Sequence, residues 1–417
     1  MTPEVKERIE QIRHGNVPEG YKRTRKGIIP NEWSVQQIRD LAFISSGSTP
    51  NRGNPAYWNG DIPWVTTGEL EGGYIKSTNE SITSQALSET SLRVYPAGTL
   101  LMAMYGQGKT RGTVAKLGID ATVNQACAAI TVDAGVSEFI FYALQNAYSD
   151  IRKLSNTGNQ ENLNADIIKT FSLICPPIAE QQGIAEILTT QDKAIELKEK
   201  LLEEKQRQKK YLMQQLLTGK KRLPGFDGEW KRDKLRKLFA ERSETKCEHL
   251  ELLAITGTQG VIPRSQLDLK DNSSEDKSKY LRICVGDIGY NTMRMWQGVS
   301  AYSNYEGIVS PAYTILKPNS MINAKYFAYL FKMPDVVFLF YRFSQGLVDD
   351  TRNLKYENFK KISVNYPVDI EEQNAIVSIL EKADQEIDLM RQSVEQEKQK
   401  KKALMQLLLT GIVRVNV

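Results

Sequence analysis

The stretch "LMQQLLTG" at residues 212–219 recurs as "LMQLLLTG" at residues 404–411, with one letter changed and an offset of 192 residues. The same offset holds upstream, so that residues 180–219 can be laid over residues 372–411. A proline lies just before each copy and a glycine ends it, as expected for the start and the end of a helix. The sequence therefore predicts two long helices that are copies of one another.

Apolar residues recur at a period of seven in both copies, which is the pattern of a coiled-coil seam. About 40 helical residues span roughly 60 Å, and such a helix cannot bury an apolar stripe alone. We expect the two copies to pair with each other as antiparallel helices; two independent amphipathic helices on separate cores are the alternative. The candidates for helix pairing and for docking of a partner are Leu188, Ile195, Leu202, Leu216, Leu380, Ile387, Val394 and Leu408.

A second repeat precedes the helices: Trp33 matches Trp230, and the residues after each tryptophan also match. The sequence thus predicts two successive copies of one unit, each made of a strand, a globular body, a prolyl stretch and a long helix. The bodies are rich in short β-like runs and turns followed by a helix, which predicts an α+β fold with a pseudo-two-fold internal repeat. The predicted divisions are an N-terminal extension (1–28), a first body (29–175), a central helix region (176–222), a second body (223–366) and a C-terminal helix region (367–417).

Composition excludes several classes of protein. No apolar run approaches the roughly 20 residues of a membrane helix, and the four scattered cysteines form no CxxC pair, so we expect a cytoplasmic protein without a membrane partner. The chain has two histidines, and so small a number does not favour a His-based metal site or a Ser-His-Asp triad. The net charge of +5 permits nucleic acid as a partner without requiring it.

The segment "AMYGQGKT" (103–110) satisfies a relaxed phosphate-loop pattern, but "RGTVAKLG" follows it and predicts a strand instead of the required helix. A loop that contacts DNA fits better, because Lys and Arg bind phosphates and Arg can fork onto a guanine edge. The candidates here are Gln107, Lys109, Thr110 and Arg111. A solvated hairpin tip is the alternative interpretation.

The second body has a counterpart loop, "NTMRMWQG" (291–298), with Asn291, Arg294 and Gln297 as candidates. Two further loops, one in each body, are dense in amides and hydroxyls, which suit adenine edges but are also common in ordinary turns. Their candidates for DNA contact are Asn159, Gln160 and Arg352.

Four stretches carry a family resemblance: "YKRTRKGIIPNEW", "GSTPNRGNPAYWNGDIPW", "PPIAEQQGIAEIL" and the doubled "LMQ(Q/L)LLTG". With them the chain resembles the specificity subunit of type I restriction–modification systems over nearly its whole length. The second body departs from the family pattern, since it has "TGTQGVIPRSQLDL" where the first has the "TPNRGNPAYWNGDIPW" type of segment.

The resemblance implies two target recognition domains, each of which reads one half of a bipartite site in double-stranded DNA. It implies that the paired helices set the spacer and dock two adenine methyltransferase subunits, which motor-nuclease subunits join. S-adenosylmethionine, ATP and Mg are then expected on the partner subunits, and no cofactor and no catalytic activity in this one. A stand-alone ATPase built on "GQGKT" and a coiled-coil scaffold without DNA function are the alternatives.

Overall fold

The chain forms two compact units in the computed structural model, which describes residues 2–106, 108–154, 162–257, 259–267 and 276–415. Unit 1 comprises Met1–Lys198 and Ser393–Val417, and unit 2 comprises Glu199–Gln392. Each unit therefore contains one globular body, the first part of one long helix and the last part of the other.

Unit 1 begins with a helix and a hairpin and continues into a mixed body. Its helices are α1 (Pro3–Arg13), α2 (Ser84–Glu89), α3 (Ser137–Asn146), α4 (Tyr148–Arg152), α5 (Ala165–Thr170) and the first part of α6 (Ile178–Leu216). Its strands are β1 (Tyr21–Thr24), β2 (Gly27–Pro30), β3 (Ser34–Gln37), β4 (Ala42–Ser46), β5 (Trp58–Val65), β6 (Tyr74–Ile75), β7 (Glu80–Ile82), β8 (Leu100–Ala103), β9 (Val114–Leu117), β10 (Thr122–Val123), β11 (Cys127–Val132) and β12 (Ser172–Cys175).

The main sheet of unit 1 has the strand order β4-β11-β8-β9-β6 and is antiparallel except where β6 meets β9. Successive side chains of a strand point to opposite faces. In β8, Leu100 and Met102 accordingly enter the core that contains α3 and α6, whereas Leu101 and Ala103 enter a second core on the other face. Being buried on both faces explains the unbroken apolar run in this strand.

Unit 2 repeats this plan with fewer strands. Its strands are β13 (Trp230–Lys234), β14 (Phe239–Arg242), β15 (Leu253–Thr256), β16 (Gly260–Pro263), β17 (Leu281–Ile283), β18 (Ile288–Asn291), β19 (Ser300–Tyr302), β20 (Gly307–Val309), β21 (Tyr313–Pro318) and β22 (Ser363–Pro367). Its helices are α7 (Ala324–Leu330), α8 (Pro334–Phe343), α9 (Tyr356–Phe359) and α10 (Ile370–Leu408), the last of which ends in unit 1.

The main sheet of unit 2 has the order β14-β21-β18-β19 and matches four of the five strands of the unit 1 sheet. In each body, a two-stranded ribbon joins the strand at the repeated tryptophan to the strand before the long helix. β3, which follows Trp33, pairs with β12, and β13, which begins at Trp230, pairs with β22. The large core of unit 2 is rich in aromatic rings, and it packs α7, α8 and the sheet against the end of α6 and the start of α10. The α+β prediction, with two bodies of one type, is confirmed.

The two long helices have 39 residues each and follow the predicted prolines, Pro177 and Pro367. Gly219 and Gly411, just beyond the two helices, have positive φ angles of 70° and 72°, a conformation that favours glycine at a helix end. Among the described residues, no helix is long and apolar enough to cross a membrane.

The helices pair in an antiparallel sense within each unit. In unit 1, Lys198 donates to Ser393 at 2.9 Å, and Gln191, one heptad earlier, donates to the Glu397 carboxylate at 2.6 Å. In unit 2, Lys205 Nζ lies 2.8 Å from Glu386 Oε2. These polar pairs occupy the middle of the seam, where the heptad pattern loses its apolar residues.

The predicted seam residues are largely buried. Leu188 and Leu408 lie in the same core in unit 1, and Leu216 and Leu380 lie in the same core in unit 2. Ile195, Ile387 and Val394 are also buried, and Leu202 is half-buried.

Candidate nucleic-acid interface

The predicted contact loop of unit 1 connects β8 to β9 and is closed by a backbone hydrogen bond at a glycine. Gly112 N–H donates to the Ala103 carbonyl at 2.8 Å, and Gly112 has a φ of 83°. Because the loop runs directly into β9, it lacks the helix N-terminus that a phosphate loop needs. The nucleotide-binding alternative therefore loses its structural basis.

Two side chains of α4 hold this loop. The Tyr148 hydroxyl donates to the Lys109 carbonyl at 2.6 Å, and Arg152 donates to the Arg111 carbonyl at 3.1 Å. The Lys109 side chain remains exposed, Thr110 is half-buried, and Arg111 is only 6% exposed. The exposed ammonium of Lys109 is thus available to a phosphate, whereas Arg111 lies inside the body.

The second predicted loop of unit 1 leads into a buried leucine. Leu163 is fully buried, and its N–H donates to the Met104 carbonyl at 3.0 Å. This bond joins the end of the amide-rich loop to the start of the β8–β9 loop. The candidates Gln107, Asn159 and Gln160 lie outside the described residues, so their contacts stay predictions.

Unit 2 makes the same junction. Leu354 is fully buried, and its N–H donates to the Thr292 carbonyl at 2.8 Å. The loops 291–298 and 344–353 are thereby neighbours, although about 60 residues separate Thr292 from Leu354 along the chain. In both units, then, the residue that follows the second predicted loop is bonded to the start of the first predicted loop, at the same end of the main sheet.

The predicted residues of unit 2 fall into two groups. Arg294 and Gln297 are exposed, whereas the Asn291 side chain accepts from the Met293 N–H at 2.9 Å and shapes the turn. Arg352 is held: its guanidinium lies 3.9 Å from the Tyr341 ring centroid and donates to both the Tyr341 hydroxyl and Asp349. Arg294 is therefore the freer of the two arginines to reach a base edge or a phosphate.

Two features of this surface escaped sequence reasoning. Lys332 donates to the Gly298 and Ser300 carbonyls at 2.7 and 2.6 Å, which ties the loop 291–298 to the segment between α7 and α8, and burial lowers the pKa of Lys332 to about 8. Leu347 is fully exposed at the tip of the other loop. Neither residue belongs to a periodic pattern. For Leu347, the sequence offered one indication of an exposed turn, the "QG" that precedes it in a polar run.

A buried carboxylate near the start of each long helix also recurs. Glu180 accepts from Arg414 at 2.7 and 2.9 Å, and from Trp33 Nε1 at 2.8 Å. In unit 2, Glu372 accepts from Arg222 at 2.6 and 2.7 Å. The glutamine that follows each glutamate makes the same contact in both units. Gln181 accepts a hydrogen bond from the Val136 N–H, and Gln373 accepts one from the Asn323 N–H. The sequence marked these positions as repeats but gave no role for them.

Two mixed bodies of one type, each packed on parts of two long helices, define a class of protein with a duplicated globular unit on a helical support. The chain belongs to the family described as the type I restriction modification DNA specificity domain, whose model matches residues 30–206 and 269–398. The resemblance inferred from the sequence is confirmed.

The chain is 34% identical over 186 residues to the type I restriction enzyme MjaIX specificity subunit of Methanocaldococcus jannaschii, a match that covers 43% of this chain and 42% of that protein. The type I restriction–modification S subunit from M. genitalium has a similar fold, with a TM-score of 0.55 at 15% identity over 90% of this chain and 96% of the other. A structure that reports complex assembly and conformational transition of the type I system has a TM-score of 0.57 at 14% identity, over 92% of this chain and 99% of that one.

Proposed function

We propose that this chain is the sequence-specific DNA-recognition subunit of a type I restriction–modification complex, with no catalytic activity of its own. Each body would read one half of a bipartite site in double-stranded DNA. The observation that carries this proposal is the backbone bond that joins two polar loops in each unit, Leu163 to Met104 and Leu354 to Thr292. A groove reader needs donors and acceptors from several segments on one rigid surface, and the proposal is supported by a bond that brings two segments together in each unit.

The long helices would set the spacer and dock two adenine methyltransferase subunits. Leu197 and Leu389 occupy matching positions in the repeat, and each is 66% exposed. An exposed leucine that recurs in the scaffold, while the bodies diverge, fits a partner that binds twice. Motor-nuclease subunits would join this complex, and S-adenosylmethionine, ATP and Mg would be bound by the partner subunits.

Recognition is tested by genome-wide methylation calls from cells that express this chain with its methyltransferase. We expect a single bipartite motif with a fixed spacer. Replacement of the first body by that of a relative should change one half of the motif and leave the other. A pattern of methylation with no sequence preference would refute the function, and an unchanged motif after the swap would favour the scaffold alternative.

The DNA contact of unit 1 is tested by Lys109→Ala, with Lys6→Ala on α1 as the matched control because both side chains are exposed. A phosphate contact is lost only in the first variant, which should weaken binding uniformly across sequences and reduce the salt slope by about 1. Equal salt slopes for the two variants would contradict the assignment.

Docking is tested by native mass spectrometry of the complex. Leu197→Asp and Leu389→Asp should each reduce the methyltransferase subunits bound from two to one, and the double variant should bind none. Val94→Asp, at another exposed apolar residue of unit 1, should still bind two. Two subunits retained by the double variant would place the docking surface elsewhere.

A further inference from the structure

A three-part contact joins the body of unit 1 to both long helices. The Tyr142 hydroxyl, on α3, donates to Asp192 on α6 at 2.8 Å. Lys401, on α10, lies 2.6 Å from the other oxygen of the same carboxylate, and its ammonium lies 5.1 Å from the Tyr142 ring centroid. Three elements that are far apart in sequence thus meet at one carboxylate, which we call the tyrosine node.

Unit 2 contains the same node. Tyr329, on α7, donates to Asp384 on α10 at 2.7 Å. Lys209, on α6, forms an ion pair with that carboxylate, and its ammonium lies 5.4 Å from the Tyr329 ring centroid. The helices have exchanged roles: α6 supplies the carboxylate in unit 1 and the lysine in unit 2.

The node is shielded and its donors are fixed. Tyr142 is fully buried, and the lysine and aspartate side chains of both nodes are between 18% and 38% exposed. Burial raises the pKa of Tyr142 and of Tyr329, so both hydroxyls keep their protons and can donate at physiological pH. A hydrogen bond to a charged acceptor is among the stronger and more directional contacts in a protein.

The node differs from the other contacts between body and helix. The apolar contacts of the cores are non-directional, so they restrict the angle of a body on a helix through shape alone. The glutamine contacts, from Gln181 and Gln373, join each body to one helix. The node joins the body to both helices, and a third point of attachment removes the remaining rotation.

We infer that the tyrosine node is a positioning device, which fixes the angle of each recognition body on the helix pair of its own unit and thereby restricts the spacer that the complex accepts. This inference rests on the proposed function. Adding one base pair to a spacer moves a half-site by 3.4 Å and turns it by about 36°. A rigidly held body rejects such a displaced half-site, whereas a body that can rotate accepts it more often.

The experiment uses the complete methyltransferase complex and a DNA library in which fixed half-sites are separated by the natural spacer, or by one base pair fewer or more. Tyr142→Phe and Tyr329→Phe each remove one hydroxyl and keep the ring. Tyr95→Phe and Tyr356→Phe are matched controls, because their hydroxyls bond within a body, to Ser45 and to the Phe239 carbonyl. The readout is the ratio of methylation at the natural spacer to methylation at the altered spacers.

We expect this ratio to fall about tenfold in each node variant, the factor that one hydrogen bond to a charged group corresponds to. The half-site bases should not change, and the controls should keep the wild-type ratio. Asp192→Asn, which keeps an acceptor for Tyr142 but loses the ion pair, should give an intermediate ratio.

An unchanged ratio in both tyrosine variants would overturn the inference, even if their thermal stability fell, since that result would show a merely structural contact. A wild-type complex that methylates all spacers equally would instead overturn the proposed function, so the two failures can be told apart.

Discussion

The buried carboxylate of Glu180 provides a sharp test of how the C-terminal segment is held in unit 1. The side chain is 2% exposed and accepts from Arg414 twice, from Trp33 once and from the Val415 N–H once. Glu180→Ala removes all four bonds, so the buried indole N–H of Trp33 loses its acceptor and the partly buried guanidinium of Arg414 keeps only Glu32. Glu32→Ala is the matched control, because Glu32 pairs with the same arginine at 3.1 Å but is 62% exposed.

The magnitude follows from burial. Breaking a buried ion pair by removing one partner costs about 3–5 kcal/mol, and the lower end applies since Arg414 is 35% exposed. The unsatisfied indole adds about 1 kcal/mol. We therefore expect Glu180→Ala to cost about 4 kcal/mol, and Glu32→Ala to cost much less because exposed ion pairs contribute little.

Unit 2 provides an internal comparison. Glu372 is 1% exposed and binds Arg222, but Trp230 Nε1 has no acceptor there. Glu372→Ala should therefore cost about 3 kcal/mol, which is less than Glu180→Ala by about 1 kcal/mol. The difference measures the joint contribution of the bonds that Trp33 and the Val415 N–H donate to Glu180.

Hydrogen exchange measured by mass spectrometry gives the opening free energy of each segment without assuming two-state unfolding. Peptides that cover residues 30–37 and 409–415 should exchange at least 100-fold faster in Glu180→Ala, and within about fivefold of wild type in Glu32→Ala. Equal protection in the two variants would refute the view that burial, and not charge pairing alone, gives this cluster its strength.

Two further predictions concern the helix seam and the recognition loop of unit 2. Hydrogen bonds from Lys198 and Gln191 lower the pKa of Glu397 to about 2, so the contribution of this carboxylate to stability is present above pH 4.5 and is lost as the pH falls toward 2. Glu397→Gln should therefore flatten the dependence of the urea unfolding midpoint on pH between pH 5 and pH 3. An unchanged slope in this variant would contradict the prediction. Gly346 has a φ of 138°, and a Cβ there would lie 2.6 Å from the Thr351 carbonyl oxygen. Gly346→Ala should therefore destabilise the loop by about 1–3 kcal/mol and weaken binding to one half-site. The control variant Gly228→Ala should have neither effect, because its Cβ would meet only an ordinary contact.

Much of the architecture could be read from local patterns. The helix ends were predictable because prolines and glycines mark them, and the seam because its period is set by helix geometry. The candidate DNA-contact loops that the structure describes were also predictable as loops, from the density of Gly, Asn, Gln and Arg. Their side chains were less so: Arg111 and Arg352 have the right chemistry, but one is buried and the other is held by Tyr341.

The contacts of the tyrosine nodes and of the buried carboxylates could not be predicted from the sequence. Asp192 and Asp384 occupy matching positions of the repeat, 192 residues apart, yet an acidic residue on a long polar helix is ordinarily solvated. Their partners Tyr142 and Tyr329 lie in the divergent bodies, and they come 55 or fewer residues before the aspartates they bind. No periodicity connects such positions.

The sequence by itself determined the duplication, the two long helices and the division into scaffold and bodies, because these depend on repeats and on helical period, which are local properties. Only the tertiary structure decided which loops share a surface and which carboxylates bind a tyrosine, a lysine or an arginine. The bonds from Leu163 to Met104 and from Leu354 to Thr292 close loops of about 60 residues. The packing of each body fixes such contacts, and the chain carries no local signal for them.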